Sequence, residues 1–481
     1  MQNAAVTPKS WVGPALIGVG LITLARIVLL AFNKTDLFVD EAQYWLWGQD
    51  LAFGYYSKPP LIGWVIRAFT EIGTNAPFWV RLPGPLFHGA TALILGAIAA
   101  QLFDRRAAIM VALAYVTLPV VAVGSLLIST DTIMFPFLAA ALLGYFRLQE
   151  RASPSTAIIT GAMLGLAFMA KYAAIYYILC AGLAMVLPSA RLNWRSIALI
   201  LGAFLVVISP NLIWNILNGL TTVQHTLDNA DWVRDPSKRA GFNIAGLSEF
   251  FFAQFAVFGP ILFGALLLLA VKAKTQTVKT LILFAIPIIL IVCVQAFLSR
   301  AYANWAAAAY LAATLAVVPW LMGQHRAWLI ASFAINGALC LLFPLATTAP
   351  TLLARDGQPL LNRYIGRTDM SQSILDIAAD ANLTTIVASD RDILADLFYT
   401  ARDQSIDIFA LPPHGRAPHH YALRFPYQPH ETQILFVMTA DQIPPCSAAF
   451  HLTDIRPATG GYLRHPQSLY RMPGTCLSPK S

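Results

Sequence analysis

About eleven apolar stretches, each close to the length of a membrane-spanning helix, fill most of the chain before residue 350. A spanning helix needs about 20 mostly apolar residues. Apolar residues make up 57% of the chain and charged residues only 12%, and the mean hydropathy is +0.62. These proportions are typical of a polytopic α-helical membrane protein and exclude an ordinary soluble domain. The predicted spans lie near residues 11–32, 82–103, 107–127, 132–148, 156–170, 173–187, 196–216, 248–271, 279–298, 304–322 and 327–346.

Charged residues divide unequally between the two sets of loops that join these spans. The set that begins with Lys9 carries 11 basic and 2 acidic residues, whereas the opposite set carries 9 basic and 10 acidic residues. Because cytoplasmic loops collect Lys and Arg, we expect the first set and the N-terminus to lie in the cytoplasm. The large loop 33–81 and the region after residue 349 are then extracytoplasmic. This topology accounts for the net charge of +8 without a nucleic-acid partner.

The composition changes in the last part of the chain. Residues 350–481 hold six of the nine histidines and several proline-rich loops. Short helical and strand patterns alternate there, so we predict a separate soluble α/β domain, with residues 1–349 forming the transmembrane domain. The predicted helices are 371–382 and 390–402, the second capped by Ser389 or Asp390, and the predicted strands are 384–389, 406–411 and 432–438.

Cysteine and histidine usage in this domain leaves two questions. Cys446 and Cys476 could pair in an oxidising compartment, or both could stay reduced. The cluster "HGRAPHH" at 414–420 lacks an orderly metal-ligand spacing, which favours a solvated loop over a metal site.

The first large loop, 33–81, concentrates acidic and aromatic residues. Its stretch "EAQYWLWGQDL" has helical character, and its tryptophans and tyrosine are of the type that settles at lipid headgroups, so we predict a helix along the membrane surface. Asp40 and Glu41 open that helix. Carboxylates there can be simple N-terminal caps or a catalytic pair.

Basic residues near the outer face suggest a phosphate-binding site. Lys58 precedes Pro59-Pro60, which restricts its backbone to extended conformations, and Arg81 stands at the mouth of the second span. Arg26 lies inside the first span, where a charge is functional by default, although it could also snorkel to the interface or pair with an acid purely for assembly. Lys171 and Arg300 are further phosphate candidates at the outer ends of later spans.

Six motifs follow one another along nearly the whole chain: "FVDEAQYWLWGQDLAFGYYSKPPLIGWVIRAF", "VRLPGPLF", "ISTDTIMFPF", "KYAAIYYI", "NWAAAAYL" and "ASDRDILADLFYTAR". Together they resemble the bacterial glycosyltransferase family 39 type, which is related to protein O-mannosyltransferases and lipid A aminoarabinose transferases. The resemblance implies a type C membrane glycosyltransferase fold, a polyprenyl-phosphate-linked sugar donor and an active site on the extracytoplasmic face of the bacterial inner membrane.

The resemblance also implies roles for individual residues. Asp40 matches the catalytic aspartate of the first loop, and Asp131 matches a second acidic position on a short outer loop. Lys58 matches a lysine that contacts the lipid phosphate. His225 falls where related enzymes often carry a histidine in a large outer loop.

One departure from the family pattern bears on metal binding. The aminoarabinose-transferase branch commonly has a glutamate before the lysine that helps to hold a metal, and this chain has Ser57 there. The sequence therefore predicts no certain cofactor and leaves a divalent cation as an option. Tyr55, Tyr56 and His225 are candidates for contacts with substrate or metal.

The chemistry of the proposed reaction can be argued from the residues themselves. Sugar transfer to a hydroxyl needs a carboxylate that accepts the proton, and we assign this role to Asp40. Positive charge beside the leaving phosphate stabilises the transition state, and Lys58 is the first candidate. One base without a covalent intermediate predicts inversion at the anomeric carbon. Asp131 could position the acceptor, bind a cation with Asp40, orient Lys58, or only cap a helix.

The substrate is less constrained than the reaction. We expect a glycolipid acceptor, lipid A or the lipopolysaccharide core, and membrane lipids as further partners. A protein serine or threonine is the alternative within the same fold. Two other classes remain open: a lipid-linked substrate transporter or flippase, and an assembly subunit that docks partners through its outer domain. The sugar could be a hexose, a uronic acid or an amino-pentose.

Overall fold

The computed structural model describes residues 10–229, 241–413 and 415–478. Lys9 and His414, which entered the sequence analysis, lie outside these ranges. The α-helices, in chain order, are α1 (Val12–Ala31), α2 (Val39–Gln49), α3 (Leu61–Ile72), α4 (Pro77–Arg81), α5 (Pro83–Leu102), α6 (Arg105–Val116), α7 (Pro119–Gly124), α8 (Thr130–Glu150), α9 (Pro154–Ala170), α10 (Ile175–Ala184), α11 (Trp194–Leu217), α12 (Thr221–Asn229), α13 (Ile244–Val257), α14 (Pro260–Lys272), α15 (Gln276–Leu283), α16 (Ile286–Leu298), α17 (Ala309–Met322), α18 (Arg326–Thr348), α19 (Arg367–Asp380), α20 (Arg391–Thr400) and α21 (His420–Arg424). The strands are β1 (Ala354–Arg355), β2 (Gln358–Pro359), β3 (Thr385–Ala388), β4 (Asp407–Ala410), β5 (Gln433–Thr439), β6 (Phe450–Ile455) and β7 (Gln467–Pro473).

The chain divides into two compact units whose boundaries differ from the predicted domains. The helical unit comprises Met1–Ala31, Lys58–Ile62 and Arg81–Pro344. The α/β unit comprises Phe32–Ser57, Gly63–Val80 and Leu345–Ser481. Most of the first loop therefore belongs to the same unit as the C-terminal region.

Long apolar helices dominate the helical unit. In the described residues, six helices are long and apolar enough to cross a membrane, and the bent pair α13–α14 would make a seventh span. The apolar helices α9, α17 and the segment Tyr172–Ala184 are shorter. The multi-pass membrane class is confirmed, whereas the count of eleven spans is not.

Proline and glycine explain where predicted spans are interrupted. The predicted span 107–127 is divided into α6 and α7, and α7 begins at Pro119, which cannot continue a preceding helical ladder. The predicted span 248–271 bends by 113° between α13 and α14. Gly259 stands at that break with φ +95°, a conformation that L side chains rarely adopt. Both predicted single spans are therefore wrong as continuous helices.

Helix α1 has one buried face and one exposed apolar face. Ala15, Val19 and Leu30 are buried, while Ile17 and Leu21 are 65% and 63% exposed. Small residues allow close packing on the buried side of other helices. Gly161 of α9, for example, lies against the backbone of Ile200 in α11, where a Cβ atom would not fit. The exposed apolar face of α1 suits a lipid environment.

A five-stranded mixed sheet forms the centre of the α/β unit. Its strand order is β4-β3-β5-β7-β6, with β3 parallel to β4 and β5, and with β5, β7 and β6 antiparallel. Val387, Ile434, Phe436 and Met472 are buried in its core. The predicted strands correspond to β3, β4 and β5, and the predicted helices to α19 and α20. Strands β6 and β7 were missed.

Two details of this unit answer questions left by the sequence. Asp390 is the cap of α20, because its carboxylate accepts hydrogen bonds from the backbone N–H groups of Asp392 and Ile393 at 2.7 and 3.1 Å. Cys446 and Cys476 form a disulfide.

The prediction of a wholly solvated loop at 414–420 is wrong for His419 and His420, which are only 8% and 6% exposed.

The aromatic residues of the helix predicted at the membrane surface pack inside the α/β unit. Tyr44, Trp45 and Trp47 of α2 are all buried. The Trp45 ring packs against Tyr399 in α20 at a centroid distance of 5.0 Å. These aromatic side chains therefore form part of a protein interface, and the position of α2 at the membrane surface stays a prediction.

Candidate active site

Asp131 and Lys171 form an ion pair in the helical unit. The Lys171 Nζ donates to both carboxylate oxygens of Asp131 at 2.8 Å, and Asn304 Nδ2 donates to Oδ2 at 2.9 Å. The side chains of Asp131 and Lys171 are 10% and 17% exposed. The three donors hold the Asp131 carboxylate in one orientation.

These three residues all lie at the ends of helices. Asp131 lies in the first turn of α8, after Ser129, whose hydroxyl accepts from the Thr132 N–H at 3.3 Å. Lys171 directly follows α9. Asn304 belongs to a short 3₁₀ turn, Ala303–Ala306, before α17. A carboxylate in the first turn of a helix also benefits from the exposed N–H groups there.

Sequence reasoning missed the polar network behind Asp131. His88 in α5 lies within hydrogen-bond distance of the Tyr115 hydroxyl (3.1 Å) and of the Thr132 hydroxyl (3.2 Å). His88 is 1% exposed. A histidine in an otherwise apolar stretch was the available signal, because a buried polar ring needs partners.

Arg26 makes its contacts with other helices of the same unit. Its guanidinium donates to the Val116 carbonyl at 2.7 Å, to the Ser125 hydroxyl at 3.2 Å and to the Cys340 sulfur at 3.1 Å. The side chain is 2% exposed. These partners are neutral groups and not the acid that the sequence suggested. They favour a role of Arg26 in helix packing, and its role in phosphate binding stays a prediction.

The other predicted phosphate contacts and the loop histidine also lie in the helical unit. Arg81, at the end of α4, is 1% exposed, and Lys58 is half-buried. Arg300 is exposed and His225, in α12, is half-buried. Their roles stay predictions.

Asp40 lies in the α/β unit, where it meets an arginine of the C-terminal region. Arg391 Nη2 donates to Asp40 Oδ1 at 2.5 Å, and Arg391 Nε donates to Gln43 Oε1 at 3.0 Å. The neighbouring Glu41 is 2% exposed and accepts from the Phe38 backbone N–H at 2.9 Å. Glu41 therefore acts as the cap that the sequence offered as one alternative. Asp40 keeps a carboxylate that is 49% exposed.

The two tyrosines proposed as substrate or metal contacts are buried in the α/β unit. The Tyr55 ring stacks on Trp47 at a centroid distance of 4.7 Å, and its hydroxyl donates to the Trp47 carbonyl at 2.7 Å. Burial raises the pKa of Tyr55 to about 12, so the phenol stays neutral at physiological pH. The Tyr56 hydroxyl donates to the Ala417 carbonyl at 3.1 Å. Their contacts with substrate stay predictions.

A metal site is not evident in the part of the chain that the structure describes. Groups of three or more His, Cys, Asp or Glu residues that could hold an ion are not found among those residues. Ser57 supplies no carboxylate at the position where the related branch has one. The described residues therefore do not fit the metal site of that branch.

Comparison with known proteins identifies the family. Residues 57–214 match the family model described as dolichyl-phosphate-mannose-protein mannosyltransferase. The lipid A galacturonosyltransferase RgtD of Rhizobium johnstonii is 41% identical over 468 residues, which cover 95% of this chain and 97% of that protein. The chain therefore belongs to the glycosyltransferase family of RgtD.

Two further comparisons extend the assignment. The lipopolysaccharide core galacturonosyltransferase RgtA of the same organism is 27% identical over 196 residues, or 39% of each chain. The crystal structure of ArnT from Cupriavidus metallidurans bound to undecaprenyl phosphate has 13% identity and a TM-score of 0.63, covering 98% of this chain and 100% of that one. The chain thus has the type C glycosyltransferase fold. It is a multi-pass inner-membrane glycosyltransferase, as the motifs implied.

Proposed function

We propose that this enzyme transfers a uronic acid, with galacturonic acid as the first candidate, from a polyprenyl-phosphate carrier to lipid A. The observation that carries the proposal is the 41% identity to a lipid A galacturonosyltransferase along 95% of the chain. The more distant relative is named for the lipopolysaccharide core, which is also a glycolipid. Both relatives favour a glycolipid acceptor over a protein hydroxyl.

Asp40 is the base in this proposal. Its half-exposed carboxylate accepts the proton of the acceptor hydroxyl while the hydroxyl oxygen bonds to the anomeric carbon. The bond from that carbon to the carrier phosphate breaks, and the phosphate oxygen keeps the electron pair. A single displacement of this kind inverts the anomeric configuration.

Lys58 and Arg81 are the groups that we assign to the leaving phosphate. Charge develops on that phosphate as its bond to the sugar breaks, and fixed cations offset it. Lys171 is a weaker candidate than the sequence suggested, because two of its three N–H donors face Asp131. We derive no step through a metal ion.

The reaction takes place on the extracytoplasmic face in this proposal. The distribution of basic residues between loops supports that orientation. The disulfide Cys446–Cys476 lies in the same unit as Asp40, and disulfides persist in oxidising compartments such as the periplasm. A lipid-linked donor also suits this face, because it carries its own activating phosphate.

Mass spectrometry of envelope glycolipids tests the proposed substrate. A strain that lacks the protein should lose one hexuronic acid residue from lipid A and regain it when the wild-type gene is restored. An Asp40→Asn gene, expressed at the same level, should not restore it. Loss of a sugar from a glycoprotein, with unchanged lipid A, would instead support the protein O-glycosyltransferase alternative.

A further inference from the structure

The beginning of α20 lies against α2 inside the α/β unit. One guanidinium, that of Arg391, reaches both Asp40 and Gln43, which are three residues apart on α2. The planar fork of an arginine sets the direction of each bond it donates. The Asp40 carboxylate is consequently held in one orientation by a residue 351 positions later in the chain.

Other contacts already fasten α2 and the first loop to this unit. The Tyr399 hydroxyl donates to the Asn75 carbonyl at 2.5 Å, and Trp45 Nε1 donates to Asn75 Oδ1 at 2.8 Å. At the other end, Asp36 accepts from the Arg367 N–H and the Thr368 hydroxyl at 2.8 and 2.7 Å. The loop therefore has anchors besides Arg391.

Exposure indicates that the Arg391–Asp40 pair contributes little to folding. The two side chains are 36% and 49% exposed, and ion pairs open to water are weakly stabilising. The pair does, however, orient a carboxylate that faces solvent, and a misplacement of about 1 Å at a catalytic group costs about 100-fold in rate. Its value lies in placing Asp40.

We propose that Arg391 is a positioning residue that orients Asp40, so that the C-terminal region completes the active site with the first loop. The inference rests on the proposed function, in which Asp40 accepts the proton. Arg391 itself neither gains nor loses a proton in the reaction.

The test compares Arg391→Gln and Arg391→Lys with a matched control, Arg424→Gln, in the full-length enzyme. Arg424 also joins the C-terminal region to an acid of the first loop, since its Nη2 donates to Asp50 Oδ2 at 2.6 Å. We expect Arg391→Gln to lower kcat about 10- to 100-fold with little change in KM. Arg391→Lys should restore part of the lost kcat, and Arg424→Gln should match the wild type.

The outcomes separate this inference from the proposed function. If Asp40→Asn abolishes transfer but Arg391→Gln keeps the wild-type kcat, Arg391 does not position Asp40. If Asp40→Asn retains transfer, the proposed role of Asp40 fails first. Equal loss of thermal stability and activity in Arg391→Gln and Arg424→Gln would make Arg391 merely structural. In the double variant Asp40→Asn with Arg391→Gln, we expect no loss beyond that of Asp40→Asn.

Discussion

Lys171 donates to both carboxylate oxygens of Asp131 at 2.8 Å, joining the end of α9 to the beginning of α8. Breaking a buried pair by removing one partner costs about 3–5 kcal/mol, because the remaining charge stays shielded from water. Lys171→Met should therefore lower the free energy of unfolding by about that amount. The double change Lys171→Met with Asp131→Leu should cost clearly less. Denaturant unfolding in detergent measures both, and a single variant as stable as the double one would contradict the expectation.

The variant Arg26→Met distinguishes a role of Arg26 in helix packing from a role in phosphate binding. Its guanidinium donates to Val116, Ser125 and Cys340, which all lie in the helical unit. Arg26→Met keeps much of the side-chain volume but removes these bonds, so we expect lower thermal stability with KM for the donor within about twofold. A rise in KM of about tenfold or more, about 1.4 kcal/mol, at unchanged stability would assign Arg26 to the phosphate instead.

Acid should weaken the α/β unit through its buried histidines. Burial lowers the pKa of His420 to about 3 and, with Arg391 nearby, that of His419 to about 4. The unfolded chain takes up these protons first, so the free energy of unfolding should fall as the pH drops from 6.5 to about 4. Burial raises the pKa of Asp396 to about 7, and this group contributes in the opposite direction.

A variant isolates the histidine contribution from that of Asp396. His420→Gln removes one titrating group, so its thermal midpoint should change less between pH 6.5 and pH 4 than that of the wild type. Tryptophan fluorescence can follow the transition, since Trp45 and Trp47 are buried in the same unit. Identical pH slopes for the two proteins would refute the assignment.

The sequence predicted the membrane class, the glycosyltransferase family and the central strands because these depend on local patterns. Apolar stretches of span length and short runs such as 432–438 carry their own signal. The family motifs also pointed to Asp40 and Asp131. The breaks at Pro119 and Gly259 could also have been predicted from the sequence, since proline and glycine commonly interrupt helices.

The placement of the first loop could not be read in the same way. Tyr44, Trp45 and Trp47 form an aromatic pattern that suits lipid headgroups and a protein core equally well. The partners that decide between them include Tyr399 and His420, which lie more than 340 residues later in the chain. Asp40–Arg391 and Asp131–Lys171 are long-range pairs of this kind, which one sequence without an alignment does not reveal.

In the proposed reaction, Asp40 accepts the proton of the lipid A hydroxyl when a lipid-linked uronic acid is transferred to it. Purified wild-type and Asp40→Asn enzymes, incubated with polyprenyl-phosphate galacturonate and lipid A, allow mass spectrometry to follow the product directly. We predict that the wild type adds one hexuronic acid residue and that Asp40→Asn is slower by about 100-fold or more. Lipid A that stays unmodified after incubation with the wild-type enzyme would contradict the proposed acceptor. Transfer by Asp40→Asn at the wild-type rate would contradict the role of Asp40 as the base.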